Sequence, residues 1–168
     1  MSARNDTTAM MINPSKELRF ISFRVGAETF LADIMAVRQI VIYGGSTAVP
    51  SAPQFIEGII AIRDEVIPII DLRRRFFPKA EGATDQALVL IIDSNAGAIG
   101  LKVDEVGRIV TARSDELLPP PDVVRDIRGE MLVAVIPRGD DLLLAIDVDA
   151  VLSDDEKREL QQTMNEEP

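Results

Sequence analysis

The 168-residue chain contains no cysteine and no histidine. It therefore has no thiol for a disulfide or a nucleophile, and no imidazole for acid–base catalysis or for a zinc site. A Ser-His-Asp triad is excluded for the same reason. The sequence also shows no glycine-rich phosphate loop and no run of metal ligands. These absences predict a protein that is not an enzyme and that binds no metal and no cofactor.

Aromatic residues are scarce as well: they make up 4 % of the chain, with no tryptophan and a single tyrosine, Tyr43. Hydrophobic residues still account for 46 %, so we expect an aliphatic core of Ile, Leu, Val and Ala. A chain of this length buries roughly 70 % of its unfolded surface, which makes a disulfide or metal unnecessary for stability. The length predicts one domain, or two very small ones that share a core.

Positive charge is also limited, because 18 Lys and Arg face 28 Asp and Glu, for a net charge of −10. Such a chain repels phosphate groups, so we expect no binding to nucleic acid or anionic membranes. No apolar run approaches the ~18 residues that span a bilayer, and residues 1–16 do not resemble a secretory signal. We expect a disordered tail at residues 1–16 and a cytoplasmic protein without direct membrane insertion.

Short apolar runs follow one another from Leu18 onward, with Gly, Pro, Asn and Asp between them, which is typical of an all-β barrel or sandwich. The predicted strands are 18–25, 28–34, 35–43, 55–63, 65–72, 86–93, 97–104, 105–112, 130–138 and 141–147. Only the end of the chain is convincingly helical. Ser153 and Glu156 fit a capping box, and Leu160 and Met164 lie four residues apart. We expect a surface helix over Ser153–Met164 within a terminal segment at 153–168.

The strand pattern occurs twice, with an offset of about 70 to 76 residues. Gly26-Ala27, Leu31 and Ile40-Val41 correspond to Gly97-Ala98, Leu101 and Ile109-Val110, with one extra residue in the first copy of the kind that a β-bulge accommodates. This repeat predicts two packed five-stranded barrels within residues 17–152. The boundary between the halves is expected at about residues 80–86, with exchange of strands between halves left open, and a groove between them is a natural binding site.

Four local features have a structural and a functional interpretation. Asp71 and Asp147 end strands, where the structural interpretation is a cap on the following turn and the functional one is a carboxylate pair. The basic cluster at 73–75 fits a solvated turn better than a phosphate site. Gly58 lies inside an apolar strand, so it marks either a bulge or the close approach of a partner. Arg63 is either a solvated turn residue, an internal partner of Asp71, or a cation that projects toward a binding partner.

The segment from Phe55 to Arg73 resembles the signature of the bacterial chemotaxis coupling protein family, CheW. The family pattern is roughly F-I-x-G-(V/I)-x-N-x-R-G, two or three variable residues, and then P-(V/I)-(V/I)-D-L-R. Two weaker similarities fall in the right order, V-x-E-I at residues 37–40 and G-(L/I)-x-V-D-x-V at residues 100–106. Together they cover about residues 18–160, nearly the whole chain.

The resemblance implies a fold of two packed five-stranded Src-homology-3-like β-barrels and the function of a non-enzymatic adaptor. Members of this family link the cytoplasmic hairpin tips of chemoreceptors to the histidine kinase CheA, whose C-terminal regulatory domain they bind. Such a protein is recruited to receptor arrays at the membrane. Carried over to this sequence, the receptor-binding residues are Arg63, Val37, Gly58 and Gln39. The kinase-binding residues expected on the apolar strand are Ile40, Ile42 and Val37.

The sequence departs from the family pattern at three positions. Ala61 replaces the usual asparagine, and Asp64 replaces the glycine after the arginine, although Asp still permits a tight turn because it tolerates a positive φ. Gln39 replaces a glutamate and so removes a charge from the binding surface. Two alternatives remain at this stage: a CheW-like scaffold in an array that serves surface motility or gene regulation, and a barrel that binds a small molecule.

Overall fold

The computed structural model describes residues 16–78, 86–121 and 130–166. In chain order the strands are β1 (Glu17–Val25), β2 (Glu28–Asp33), β3 (Val37–Ile42), β4 (Ile56–Ile62), β5 (Glu65–Asp71), β6 (Leu88–Ser94), β7 (Gly97–Val103), β8 (Glu105–Arg113), β9 (Leu132–Arg138) and β10 (Asp141–Ile146). The α-helices are α1 (Leu72–Phe76) and α2 (Asp154–Glu166). The expected all-β class with a C-terminal helix is confirmed. The tail predicted at residues 1–16 lies outside the described residues, except for Lys16.

The strands form two five-stranded sheets, with the orders β8-β1-β2-β10-β9 and β3-β6-β7-β5-β4. We call them the first barrel and the second barrel, because a short bridge joins the two edges of each sheet. Leu118, which follows β8, pairs with Val135 of β9. In the second barrel Thr47, which follows β3, pairs with Ile59 of β4. Each sheet thus closes on itself at one point, which shortens the exposed edges that favour aggregation.

The two barrels have the same topology, but they exchange strands between the two sequence repeats. In the second barrel, β6 and β7 take the places that β1 and β2 have in the first. Likewise β3, β4 and β5 take the places of β8, β9 and β10. The first barrel therefore takes two strands from the first repeat and three from the second. The expected boundary at residues 80–86 separates the repeats but not the barrels, because β3–β7 lie on both sides of it. Residues 79–85 themselves lie outside the described residues.

Apolar side chains form three clusters, one inside each barrel and one between the barrels. The clusters inside the barrels are largely aliphatic, with Leu31 and Ile136 in the first and Ile67 and Ile91 in the second. The cluster between the barrels is not the purely aliphatic contact that the composition predicts. It contains five of the six phenylalanines, which are Phe23, Phe30, Phe55, Phe76 and Phe77. The few aromatic rings are therefore concentrated between the two barrels, where their large side chains fill the space between the curved sheets.

Two local predictions are settled by hydrogen bonds. Asp71 accepts hydrogen bonds from the backbone N–H groups of Arg73 and Arg74, and Asp147 accepts one from Asp149, so both are capping residues. Ser153 and Glu156 form the reciprocal bonds of a capping box. The strand predicted at 35–43 begins only at Val37, because residues 34–36 form a 3₁₀ turn that Asp33 caps. The side chain of Met164 lies outside the described residues.

Candidate partner-binding site

The turn between β4 and β5 contains a strained arginine. Ile62 pairs with Glu65, so the turn consists of Arg63 and Asp64 alone. Arg63 has a φ of 56°, a left-handed conformation that costs a non-glycine residue about 1–3 kcal/mol. Our expectation that Asp64 would adopt the positive φ is wrong. At the equivalent turn of the first barrel, Gly139 has a φ of 61°, which glycine adopts without strain.

The guanidinium of Arg63 is exposed to solvent. Within the described part of the chain, Arg63 makes no hydrogen bond and no ion pair. Asp71 is not its partner, because the Asp71 carboxylate instead lies 3.4 Å from the Nε of Arg74. A cation held out from an acidic chain by a strained turn is available to a carboxylate or carbonyl oxygen of another molecule.

A three-residue ion cluster lies beside this turn. Arg38 of β3 donates from Nη1 to Glu65 Oε2, at 2.5 Å, and Glu65 is the residue that follows the turn. Its Nε and Nη2 donate to Asp93 Oδ1 of β6, at 3.1 and 2.5 Å. These hydrogen bonds, to Asp93 first and then to Glu65, raise the pKa of the Arg38 guanidinium above its usual value. The cluster brings β3, the β4–β5 turn and the end of β6 together at one end of the second barrel.

A β-bulge at Arg38 sets the directions of its neighbours. Val37 pairs with Ile92 and Gln39 with Ile91, so Arg38 is an extra residue without a partner in the ladder. Residues paired across strands point to the same side of a sheet. Gln39 therefore points toward the interior of the barrel, as Ile91 does. It nevertheless remains exposed, because it lies at the open end of the barrel. The sequence pattern does not indicate a role for Arg38, because its acidic partners are 27 and 55 residues away in the chain.

The bulge also places all three predicted kinase-binding residues on one face of β3. Val37, Ile40 and Ile42 pair with Ile92, Leu90 and Leu88, which all point toward the cluster between the barrels. Without the extra residue, Val37 and Ile40 would point to opposite sides. Val37 is half-buried against the cluster, whereas the exposed fractions of Ile40 and Ile42 are 44 % and 81 %. Exposed aliphatic side chains on a barrel strand are a suitable contact for an apolar partner surface.

Gly58 is placed differently from our expectation. It is buried, and a Cβ added to it would lie 2.5 Å from the backbone oxygen of Thr47 and from Ser46 Oγ. It lies at the register shift between β4 and β5, so the bulge and the close approach both exist, but the approaching segment belongs to this chain. Four strand residues lie between it and Arg63, so the two are about 16 Å apart along the strand. Gly58 therefore does not share a surface with Arg63.

The other polar side chains near β4 and α1 are engaged in internal contacts. Glu57 accepts hydrogen bonds from Lys102 and Tyr43, both at 3.1 Å. Burial raises the pKa of the Glu57 carboxyl, but the bonds and charge of Lys102, with Tyr43 and Arg74, outweigh burial and lower it. Arg74 contacts Glu57, and Arg75 pairs with Glu156 of α2. The basic cluster at 73–75 is therefore not a single anion site: Arg74 is exposed, as expected of a solvated turn, whereas Arg73 and Arg75 are partly buried.

Comparison with known proteins agrees with this architecture. Residues 19–156 match the family model of the CheW-like domain. The chain is 31 % identical to chemotaxis protein CheW of Rhizobium meliloti over 147 residues, which covers 88 % of this chain and 94 % of that protein. It is 29 % identical to protein FrzA of Myxococcus xanthus over 129 residues, 76 % of this chain and 79 % of the other.

A solved structure has the same fold. The scaffolding protein TtCheW of Thermoanaerobacter tengcongensis superposes with a TM-score of 0.75 at 27 % identity, over 82 % of this chain and 94 % of that one. No helix within the described ranges is long and apolar enough to cross a bilayer. The signature that runs through Gly58 and Arg63, the paired barrels and the family match over 19–156 lead to one conclusion: the chain belongs to the CheW-like family, whose members are non-catalytic scaffold proteins.

Proposed function

We propose that the chain is a non-enzymatic adaptor that couples chemoreceptors to the histidine kinase CheA in a bacterial chemotaxis array. The observation that carries the proposal is Arg63, an exposed arginine with a positive φ inside the family signature. A strained backbone persists only where the surrounding structure enforces it, and such outliers concentrate at functional sites. The chain makes the equivalent turn with an unstrained glycine at Gly139, so the arginine at position 63 has a use other than closing a hairpin.

The receptor-binding surface in this proposal is the end of the second barrel that carries Arg63 and Gln39. Members of the family bind the helical hairpin tips of chemoreceptors, which offer carboxylates and carbonyl oxygens. An arginine meets such groups with two parallel hydrogen bonds, which a lysine cannot do. The partly buried side chain of Val37 stabilises this surface, because it packs against the cluster between the barrels. Gly58 contributes indirectly, since it allows the segment after β3 to pack closely on β4.

The kinase-binding surface in this proposal is the exposed face of β3, with Ile40 and Ile42 at its centre. The C-terminal regulatory domain of CheA is related to this family, so the contact is one barrel against another. The centre of such an interface favours apolar side chains and excludes charges. The two surfaces lie on neighbouring parts of β3, which allows one small protein to contact a receptor and a kinase at once. In this role the protein works in the cytoplasm at membrane-associated receptor arrays.

A second candidate function uses the same surfaces with different partners. The similarity to FrzA, which does not carry a chemotaxis name, supports a scaffold in an array with another output, such as surface motility or gene regulation. Capture of partners from the cytosol of the source organism, identified by mass spectrometry, separates the two candidates. A barrel that binds a small molecule has no comparable support, because aliphatic side chains fill both barrel interiors.

Arg63→Ala tests the proposal. We expect it to weaken binding to a purified receptor cytoplasmic fragment by about tenfold or more, as truncation of a central interface arginine does. Binding to the regulatory domain of CheA and the melting temperature should stay unchanged, because the Arg63 side chain makes no hydrogen bond or ion pair within the described chain. Isothermal titration calorimetry with each partner measures both affinities.

Ile40→Glu is the reciprocal control. It puts a charge at the centre of the other surface, so we expect loss of kinase binding with receptor binding retained. Equal loss of both partners in both variants would contradict separate surfaces. Unchanged receptor affinity in Arg63→Ala would contradict the assignment of Arg63 and reduce it to a solvated turn residue.

A further inference from the structure

The two barrels provide an internal comparison, because the chain builds the same hairpin turn and the same bulge twice. In the first barrel the turn is Gly139-Asp140, and the bulge of β8 contains Gly107. In the second barrel the turn is Arg63-Asp64, and the bulge of β3 contains Arg38. A side chain at Gly107 would displace the Ser22 hydroxyl, since an added Cβ would lie 2.6 Å from Ser22 Oγ, which donates to the backbone oxygen of Arg108. Of these two turns, only the strained one has beside it, among the described residues, an arginine bonded to two acids. Beside the other turn, Arg138 donates instead to the backbone oxygen of Thr111 and to Glu116, at 2.8 and 3.3 Å.

We propose that Arg38 is a positioning residue, which ties the β4–β5 turn to β6 and so holds Arg63 in the conformation that binds the receptor. This inference rests on the proposed function, because it assigns to Arg38 a role that acts through Arg63. Arg38 does not contact the receptor in this proposal. The recognised group is still a carboxylate or carbonyl oxygen on a helical tip.

The geometry of Arg38 suits this role. Its guanidinium uses one nitrogen for Glu65, directly after the turn, and two for Asp93, so the planar fork joins the turn to the end of β6. Bulges redirect side chains that would otherwise alternate along a strand. Here the bulge directs the Arg38 side chain toward both Glu65 and Asp93, while Val37 and Gln39 remain paired with β6. A lysine would not reproduce this fork.

Backbone strain gives the Arg38 bonds a role at this turn that the Arg138 bonds do not have at the other, because Gly139 adopts its positive φ without strain. An exposed ion pair adds little to global stability, so the cluster is not explained by holding the barrel together. A strained turn, however, has relaxed conformations that compete with the left-handed one. If the binding-competent conformation is only partly populated, the apparent affinity falls by that fraction. When Arg38 holds Glu65 in place, relaxed conformations of the turn are disfavoured. Arg63 then stays in the left-handed conformation that binds the receptor.

The experiment is a double-mutant cycle on receptor affinity, with Arg38→Gln, Arg63→Ala and the double variant. We expect Arg38→Gln alone to weaken binding to the receptor fragment by about three- to tenfold. In the Arg63→Ala background, Arg38→Gln should cause no further loss, because the group that it positions is already absent. Glu65→Gln should weaken binding as Arg38→Gln does, since it releases the same tie.

Arg24→Gln is the matched control. Arg24 is an exposed arginine whose Nη2 lies 3.2 Å from Glu105 in the first barrel, and its loss should leave receptor binding unchanged. The melting temperature and kinase binding should move little in any of these variants. A receptor affinity that falls in Arg63→Ala but not in Arg38→Gln would overturn the inference and leave the proposed function intact.

Additive losses in the double variant would also overturn the inference, because they would make Arg38 an independent contact. Unchanged affinity in Arg63→Ala itself would overturn both the inference and the receptor assignment. An equal loss in Arg24→Gln would show that the effect is general electrostatics rather than positioning.

Discussion

At the scale of single residues, two backbone outliers in the same hairpin have opposite explanations. Gly58 is buried, and its lack of a side chain lets the backbone of Thr47 approach β4. Arg63 is exposed, and no hydrogen bond or ion pair of its side chain within the described chain accounts for its positive φ. The family signature contains both residues, so the sequence predicts that both matter but not that Gly58 serves packing while Arg63, as we propose, serves binding. Only burial and the neighbouring atoms separate these roles.

Gly58→Ala should destabilise the protein by about 2 kcal/mol or more, because strain and a clash with backbone are among the changes with large effects. The new Cβ would lie 2.5 Å from the backbone oxygen of Thr47, which cannot move without breaking the bridge between Thr47 and Ile59. Urea unfolding measures the loss. Gly44→Ala is the control, since nothing lies within 4 Å of its added Cβ. Similar stabilities for the two variants would contradict the close-approach explanation.

Arg38 marks the limit of sequence reasoning at this scale. Its neighbours Val37 and Gln39 are found by similarity to the family, whereas Arg38 occupies a variable position of the pattern. Its partners Glu65 and Asp93 lie on other strands, and single-sequence patterns carry no information about ion pairs across a fold. The bulge that redirects Arg38 depends on the register with β6, which is a tertiary property.

At the scale of elements, the sequence predicts the strands well because each hairpin consists of two short apolar runs on either side of a two-residue turn. The helix α2 was predicted from its capping box, which is a purely local feature. The way in which α2 packs on the rest of the protein was not predicted. Arg75 of α1 carries this contact: it donates to both carboxylate oxygens of Glu156 and to the backbone oxygen of Val151, and it stacks on Phe55 at 4.3 Å.

Arg75→Met should therefore lower the free energy of unfolding by about 1–2 kcal/mol, because it removes hydrogen bonds to a half-buried carboxylate and a cation–π contact. Amide hydrogen exchange should also become faster along α2. Arg158→Met is the control, since Arg158 pairs with Asp155 on the exposed side of the helix and should contribute less than about 0.5 kcal/mol. If both variants lose the same stability, Arg75 does not anchor the helix.

At the scale of the whole molecule, the repeat could be predicted from the sequence but the exchange of strands could not. Equivalent residues at an offset of 70 to 76 reveal two copies of a five-stranded pattern. They do not reveal that β2 pairs in parallel with β10 and β5 with β7, since either arrangement buries the same alternating faces. Both arrangements satisfy the hydrophobic pattern, so the choice depends on tertiary packing that a local pattern does not encode.

The exchange predicts how the protein responds to a cut between Pro78 and Gln86, which separates the repeats. Neither fragment contains all five strands of either barrel, so each alone should lack cooperative unfolding and native β-sheet circular dichroism. Mixed in equal amounts, the fragments should form a 1:1 complex with the native spectrum, visible by size-exclusion chromatography with light scattering. A folded monomer from either fragment alone would show that a repeat can close its own barrel.

Association is expected because the first barrel needs β1 and β2 from one fragment and β8, β9 and β10 from the other. The cluster between the barrels, with most of the phenylalanines, likewise forms only when both fragments are present.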